Sequence, residues 1–446
     1  MAWNVVIAGG GFGGLYAART LEKVLPHQSA RVTLVNDVNF MLYTPLLPGA
    51  AAGTLEPRHV VVPLREQLRR TDLRLGCVVG ARPDERTLQV RKPEGGVEDL
   101  PYDHLIVALG SITRVFPIPG LAEHGIGFKT LPEAIALRNR LLLSFEIAET
   151  MEDAREREAY LTFVFVGAGY AGVEGLAELQ DFATDAIELY PRCRVTGTRF
   201  VLVEARDRIM GEIPEPLARF ATRELRGRGI EVRTDTTLQE VREDSVTLST
   251  GERIPTRTVA WTAGVRAHPV VGQLGLPLAE SGRIRVDSYL QVEGYENVWA
   301  IGDAAAVPDA AKRYQAPTPP TAQHAMRQGR TVARNVAAAI GTGRRRRFTY
   351  KTLGVFVDMG RGQAVAQTLG IRWRGPAAWW LARTYHLLLM PSMRRRARLV
   401  ADWTIGLFFG RDASELGMLG HPPNLHAQSS GGTGAGVGGD EATPVG

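Results

Sequence analysis

Cysteine is nearly missing from this chain. Its 446 residues include two, Cys77 and Cys193, with no C-x-x-C or C-x-x-x-x-C pair. That excludes a disulfide framework and the dithiol relay a disulfide reductase would use, and it fits a reducing compartment. Long hydrophobic runs are also missing: no stretch of about 18 uncharged apolar residues occurs, so no bilayer-spanning helix is expected. No metal-ligand set is expected. No secretory segment is expected either, because Asn4-Val5-Val6-Ile7-Ala8 already reads as a buried strand running into glycines.

Glycine is the residue in excess, 49 in all, about 11% against a usual ~7%. At 48.6 kDa the chain is long enough for two or three domains with buried cores. Its formal charge of +6 conceals a division. From Gly341 to Arg411 stand 14 Lys and Arg against 2 Asp and Glu, whereas the remainder holds 39 basic against 45 acidic residues. A basic segment on an acidic body is either a solvated face or a means of finding an anionic surface.

The glycines fall into a scheme that occurs twice. Val5–Ala8 reads as a strand, Gly9–Gly14 as a turn, Leu15–Leu25 as a helix and Arg31–Val35 as the next strand. Leu161–Val166, Gly167–Gly172, a helix to about Leu189 and Phe200–Val203 repeat it. Both predict βαβ openings of a parallel sheet. Two runs closed by glycine, Leu105–Gly110 and Val259–Gly264, are expected at the crossings between domains. Val298–Asp303 precedes a Pro-rich loop at Pro317–Pro320 and a helix from about Thr321 to Ile340. The Ser/Gly-rich tail, 421–446, is expected to be disordered.

Gly9-x-Gly11-x-x-Gly14 gives a tight turn, lets backbone approach a pyrophosphate and aims a helix N-terminus at negative charge. Asn36 and Asp37, 22 and 23 residues after Gly14, stand where a ribose-binding side chain is expected. Gly167-x-Gly169-x-x-Gly172 is a second fingerprint, and two such turns imply two dinucleotides. Glu204 ends the following strand, where a carboxylate accepts both ribose hydroxyls and repels a 2′-phosphate, favouring NADH over NADPH. Arg206 and Arg208 pull the other way, and a plain strand-end surface charge is the alternative. Gly302-Asp303 sets a carboxylate at a glycine-opened strand end, suited to the hydroxyls of a ribityl chain, to capping a helix, or to both. The helix from Thr321 then points at a flavin's pyrimidine edge, where charge collects on reduction. These residues imply an α/β protein that binds FAD and NADH side by side.

The same residues resemble the type II, non-proton-pumping NADH:quinone dehydrogenases within the two-dinucleotide flavin reductases, over roughly residues 4–411. The resemblance rests on both fingerprints, the second ending in Val173-Glu174, and on Leu34-Val35-Asn36-Asp37 through Pro45-Leu46-Leu47. Trp261-Thr262-Ala263-Gly264-Val265-Arg266 and Ile301-Gly302-Asp303-Ala304 add to it. Most specific is Ala322-Gln323-His324-Ala325-Met326-Arg327-Gln328-Gly329, similar to the family's quinone-site motif A-Q-x-A-x-Q-x-G. Asn36 stands where the family usually has Asp, Arg327 replaces the second glutamine, and Leu353 replaces a frequent lysine, with Lys351 two residues earlier.

The resemblance implies two nested Rossmann-type domains, with FAD on 1–115 and 286–340 and NADH on 116–285, then a C-terminal amphipathic membrane-associating segment at 341–412. It implies Glu174 near the nicotinamide and Gln323 at the quinone or flavin edge, with Gly110, Gly264 and Gly302 on the cofactor side. Glu174 capping its own helix is the alternative, and His324 reads as a packed or surface histidine. The implied activity is hydride removal from NADH and reduction of a membrane quinone without proton pumping. A soluble diaphorase serving a small redox protein and a non-catalytic NADH-responsive sensor are the alternatives; sulfide:quinone chemistry does not fit Cys77 and Cys193.

Between Gly375 and Phe409, apolar and aromatic stretches alternate with arginines, too short to span a bilayer but suited to lie in its interface. Trp379, Trp380, Trp403, Phe408 and Phe409 are expected on the apolar face, and each arginine near an anionic leaflet adds about 1 kcal/mol. A homodimer surface made of the same residues is the alternative. The expected setting is peripheral, on the cytoplasmic face of the cell membrane. The expected partners are a membrane quinone and an anionic membrane surface, with no nucleic acid.

Overall fold

The structure, a computed structural model, describes residues 2–309, 317–352 and 354–415. Leu353 and the tail 421–446 lie outside these described residues. The helices that position the site are α1 (Phe12–Val24), α2 (Leu131–Thr150), α3 (Tyr170–Ala186), α4 (Ala322–Ala339), α5 (Gly375–Leu389) and α6 (Met393–Phe408).

Val5-Val6-Ile7-Ala8 has no polar face, and that pattern suits a strand covered on both sides. It forms the buried end of Trp3–Ala8, the middle strand of a five-stranded parallel sheet. Across that sheet run Val298–Ala300, His104–Val107, Trp3–Ala8, Ala30–Asn36 and Asp72–Leu75. A second parallel sheet has the same plan: Gly125–Gly127, Thr258–Trp261, Thr162–Val166, Arg199–Val203 and Glu231–Arg233. The middle strand of each sheet runs into one of the two glycine fingerprints. Helix α1 begins at Phe12 and α3 at Tyr170, so Gly14 and Gly172 lie inside their first helical turns, not before the helices as the sequence suggests.

A Cβ on Gly14 would stand 1.8 Å from the Gly9 carbonyl oxygen, and one on Gly172 would stand 1.9 Å from the Gly167 oxygen. Gly9 and Gly167 have φ of +105° and +103°, a region closed to most side chains. Gly11 and Gly169 differ: apart from their own chain neighbours, no atom of the described residues lies within 4 Å of where their Cβ would sit. The outer glycines thus close the turn, and the middle one leaves a face open.

An antiparallel ribbon, Ser111–Thr113 with Val265–Ala267, joins the two sheets, beginning at Gly110 and Gly264. Helix α4 lies against α1. There Gly329, the last residue of the A-Q motif, leaves no room for a side chain, since its Cβ would meet the Gly13 oxygen at 2.3 Å. Thr321 caps α4, accepting from the His324 N–H.

The C-terminal segment forms an antiparallel sheet, Gly354–Asp358, Ala364–Thr368 and Ile371–Arg374, followed by α5 and α6. It is built into the body. Phe348, Met390 and Leu399 are buried in the core around the first sheet, and Val357, Met359 and Val365 in the core around the second. Among the described residues no helix is long and apolar enough to cross a membrane.

These contacts separate two glycines of one turn. Gly14→Ala should cost about 3 kcal/mol, because backbone must move to admit the methyl group. Gly11→Ala should stay within about 0.5 kcal/mol, because its space is empty. Chemical denaturation of the two variants measures the difference.

Candidate active site

The two glycine turns are matched by the residues that end the next strands. Asn36 Oδ1 accepts from the Gly10 N–H at 2.6 Å, and Glu204 Oε2 accepts from the Ala168 N–H at 2.7 Å. Glu204 Oε1 accepts from the Arg206 N–H at 3.0 Å, so its carboxylate is fixed by backbone on both oxygens. Asp37, the other ribose candidate, points to solvent, whereas Asn36 faces the turn. Gly11 and Gly169 are the N-cap residues of helices α1 and α3, and neither helix has a side-chain cap. Their first-turn N–H groups therefore converge unpaired by any cap beside an open glycine, which is what a pyrophosphate requires. The residues present fit one dinucleotide at each turn.

Asp303 lies inside the short turn Gly302–Ala304 and caps no long helix. Its carboxylate accepts from Ser111 Oγ at 2.5 Å and has Lys129 Nζ at 4.0 Å. Gly302 (φ +68°) donates its N–H to Gln328 Oε1 at 2.7 Å, and Gln328 in turn donates to Thr318 at 3.0 Å. Gln328, fully buried on α4, is thus the tie between the A-Q motif and the Gly302 turn. The motif contains Gln328 without marking this role; the signal in the sequence is a glutamine on the apolar side of an amphipathic helix.

Gln323 sits at the start of α4 with both amide atoms engaged: Nε2 donates to the Gly354 carbonyl at 3.2 Å and Oε1 accepts from Tyr350 Oη at 2.7 Å. The Arg327 guanidinium carbon lies 4.1 Å from the centre of the Tyr350 ring, so the replaced glutamine has become a cation stacked on that tyrosine. His324 is buried, with Nδ1 2.7 Å from Thr321 Oγ1.

Glu174 does not cap α3. It stands in the second turn, where Oε1 accepts from the Asp358 N–H at 3.0 Å. With Glu178, one helical turn further on, and Asp358, it lines an inner pocket whose other walls include Pro45, Leu55, Phe356, Arg383, His386 and Trp403. Burial pushes the Glu174 carboxyl well above the ordinary range, and Asp358 and Glu178 add to this. Burial also raises Glu178, against the pull of Arg411 and Arg383. Burial and the neighbouring Glu178 lift Asp358 from 3.8 to about 7, with Arg383 opposing. Burial drops His386 to about 4, keeping it neutral, with Tyr43 Oη 3.5 Å from its Nδ1. The pocket is a set of carboxylates able to hold protons around one guanidinium. Neither cysteine lines it: Cys77 is exposed, and Cys193 is buried with Sγ 3.5 Å from the Phe145 carbonyl.

Asp181, next on α3, takes Arg361 at 2.7 Å and Arg411 at 2.5 Å. Burial works to raise its carboxyl, but the two arginines outweigh that and hold it low. Helix α6 is fastened in its middle as well, where Asp402 lies 2.6 Å from His59 Nδ1 and accepts from the Glu56 N–H at 3.2 Å. Arg395 near its start donates to the Arg58 carbonyl at 2.5 Å. Trp380, Phe408 and Phe409 are exposed, together with Leu388, Met393, Ile405 and Leu407. Trp379 and Trp403 are not on that face. They are half-buried, with the Arg383 guanidinium carbon 3.8 Å from the Trp379 ring centre and 5.0 Å from that of Trp403.

The sequence profile of the pyridine nucleotide-disulphide oxidoreductase family matches residues 3–329. A probable NADH dehydrogenase of Dictyostelium discoideum is 30% identical over 421 residues, covering 93% of this chain and 91% of its own. The type II NADH:quinone oxidoreductase NdhA of Mycobacterium tuberculosis is 30% identical over 441 residues, covering 93% and 88%. The solved structure of NDH2 from Plasmodium falciparum in complex with NADH superposes with a TM-score of 0.85 at 19% identity, over 93% of this chain and all of that one. The fold is shared throughout.

The carboxylates carry a pH signature. A carboxyl raised from 3.8 to about 7 keeps a proton that the unfolded chain has lost, so its contribution is fully present below the lower value and lost as pH rises through the upper one. His386 works oppositely, contributing above its ordinary value and losing it as pH falls towards about 4. Between about pH 5 and about pH 8, Asp358→Asn should therefore lose less stability than the parent chain. Paired denaturation curves at the two pH values test this, since the His386 part cancels in the comparison.

Proposed function

The chain belongs to the pyridine nucleotide-disulphide oxidoreductase family, and on that basis we propose that it takes a hydride from NADH and reduces a membrane quinone, with FAD resident and no proton pumped. The observation that carries this reading is the pair of matched glycine turns, each with an open middle glycine, an uncapped helix and a strand-end polar side chain fixed against it. The type II NADH:quinone oxidoreductase among its relatives supports quinone as acceptor.

FAD belongs on the first turn, with Gly9, Gly11 and Gly14 shaping the pyrophosphate seat and Asn36 at the adenosine ribose. Asp303, oriented by Ser111, faces the ribityl hydroxyls beside Gly302 and Gly110. NADH belongs on the second turn, where Gly167, Gly169, Gly172 and Gly264 leave room and Glu204 reads the ribose. Bound flavin supplies the two-electron chemistry between the substrates. The protein supplies position and protons. Conversion of NADH, quinone and H⁺ to NAD⁺ and quinol needs one proton at the acceptor. Glu174, whose carboxyl burial raises well above the ordinary range, is the proposed holder of that proton, backed by Glu178 and Asp358. Gln323, its amide locked by Tyr350 and Gly354, forms a fixed wall of the acceptor side.

The exposed apolar residues of α5 and α6 are the proposed contact with an anionic membrane, peripheral and on the cytoplasmic side. They are flanked by the exposed Arg394 and Arg398. Because the segment carries core residues of both bodies, its role is tested by point changes at the exposed face and not by deletion.

Purified protein should oxidise NADH steadily with a soluble quinone analogue and stall after a single turnover without one; a stall in both cases would favour a sensor. Glu204→Ala should reduce the preference for NADH over NADPH, read as the ratio of the two kcat/KM values, while flavin content is kept. An unmoved ratio would remove Glu204 from the ribose.

Vesicle binding gives a separate readout. Phe408→Ser with Phe409→Ser should weaken binding to anionic vesicles by about tenfold or more. Raising salt should weaken binding of the parent chain without abolishing it, because charge is screened beyond a Debye length of about 8 Å and apolar burial is not. Sedimentation with vesicles at two salt concentrations measures both effects.

A further inference from the structure

Both parallel sheets carry their glycine turn on the middle strand, with Asn36 or Glu204 at the end of the next strand on one side. A dinucleotide seated at such a turn, its adenosine ribose at that side chain, has only the other side of the sheet for its second half. In the first sheet the strands on that side end at Val107 and Ala300, which lead to Gly110 and to the Gly302–Asp303 turn. In the second they end at Trp261 and Gly127, which lead to Gly264 and to Lys129. The ribbon pairs the stretch after Gly110 with the stretch after Gly264, so the flavin half and the nicotinamide half are directed to one place. There the two bodies meet through charge: Lys129 Nζ stands 4.0 Å from Asp303 Oδ2.

Lys129 is held there by its backbone. Glu133, in the first turn of α2, accepts from the Lys129 N–H at 2.8 Å and from the Thr130 N–H at 2.7 Å, and its carboxylate fills the space a side chain on Gly127 would need. The Lys129 side chain is 28% exposed and that of Asp303 19%, so water screens the pair only in part. Hydride transfer separates charge at this junction. The nicotinamide ring gives up a hydrogen with both bonding electrons and goes from neutral to singly positive; the flavin takes them and goes from neutral to singly negative. A cation beside Asp303 offsets the standing charge of that carboxylate, favours the charge gained by the flavin and opposes the charge left on the oxidised nicotinamide.

We propose that Lys129 is the electrostatic residue of the junction between the two cofactors: its ammonium draws the electron pair towards the flavin and weakens the hold on the oxidised nicotinamide nucleotide. The inference rests on the assignment of FAD and NADH to the two turns above, and is independent of the acceptor.

The test removes the charge and keeps the reach of the side chain, in the holoenzyme. In Lys129→Gln the two-electron reduction equilibrium of the bound flavin, titrated against a reference dye without NADH or quinone, should shift about tenfold towards the oxidised form, about 30 mV. Lys129→Arg, which keeps the cation, should stay within about twofold of the parent. A second readout involves no reduction. NAD⁺ and ADP-ribose, which differ by the nicotinamide, are bound to the oxidised protein by calorimetry, and the ratio of the NAD⁺ Kd to the ADP-ribose Kd should fall about fivefold in Lys129→Gln and hold in Lys129→Arg. Because this ratio needs no flavin, a variant that loses its flavin still decides the matter. A residue that merely ties the two bodies together would move neither the potential nor the ratio with its charge. A potential or a ratio that matches the parent in Lys129→Gln overturns the role of Lys129 while leaving both cofactor assignments standing. A parent protein that binds neither flavin nor NAD⁺ overturns those assignments, and this inference with them.

Discussion

Backbone touching backbone at two glycines sets the position of everything else. With no Cβ on Gly14 or Gly172, each first helical turn closes onto the carbonyl of the glycine that left the strand. That contact fixes where α1 and α3 begin and where their free N–H groups point. It also fixes the carboxylates of α3, because Glu174, Glu178 and Asp181 follow at set turns down the helix whose start is so constrained. Gly329 against the Gly13 carbonyl repeats the device between helices, bringing α4 and the Gly302 turn to the first fingerprint.

Charge is the second constraint. A pocket lined by three carboxylates and one guanidinium cannot hold all three ionised at low dielectric, so protons stay bound at a pH where free carboxyls have lost them. Asp181, only a turn away, behaves oppositely because Arg361 and Arg411 reach it. The same helix therefore carries proton-holding carboxyls at one end and a firmly ionised one nearby, and the difference comes from arginines supplied by the C-terminal segment.

What the sequence made legible follows from how few residues satisfy a given backbone demand. Gly9, Gly14, Gly167 and Gly172 have no substitutes at their positions, so the twin turns and the two parallel sheets could be read directly. Distance from the turns points to Asn36 and Glu204, which bond to the backbone of those turns. The inner pocket was not legible, because Glu174, Asp358, Arg383 and His386 come from four separated stretches and nothing local marks them as neighbours. Nor was the orientation of the tryptophans. Alternating aromatic and arginine residues predict an amphipathic helix but not which aromatics stay exposed, and Arg383, a buried charge, has the half-buried Trp379 and Trp403 beside it. Asp303 was read with helix capping as one role because its turn, Gly302–Ala304, is shorter than any pattern of periodicity can report.

Helix α6 is held near its start by Arg395, in its middle by Asp402 and just past its end by Arg411. Contacts at three points along its length oppose both rolling and rocking of the helix. The edge formed by Leu407, Phe408 and Phe409 therefore has one bearing relative to both parallel sheets. A molecule resting on that edge stands at a single tilt, with each glycine turn at its own set height above the support. Random encounters with a surface would then end in one posture, and the distance an acceptor must travel inward would be the same for every copy.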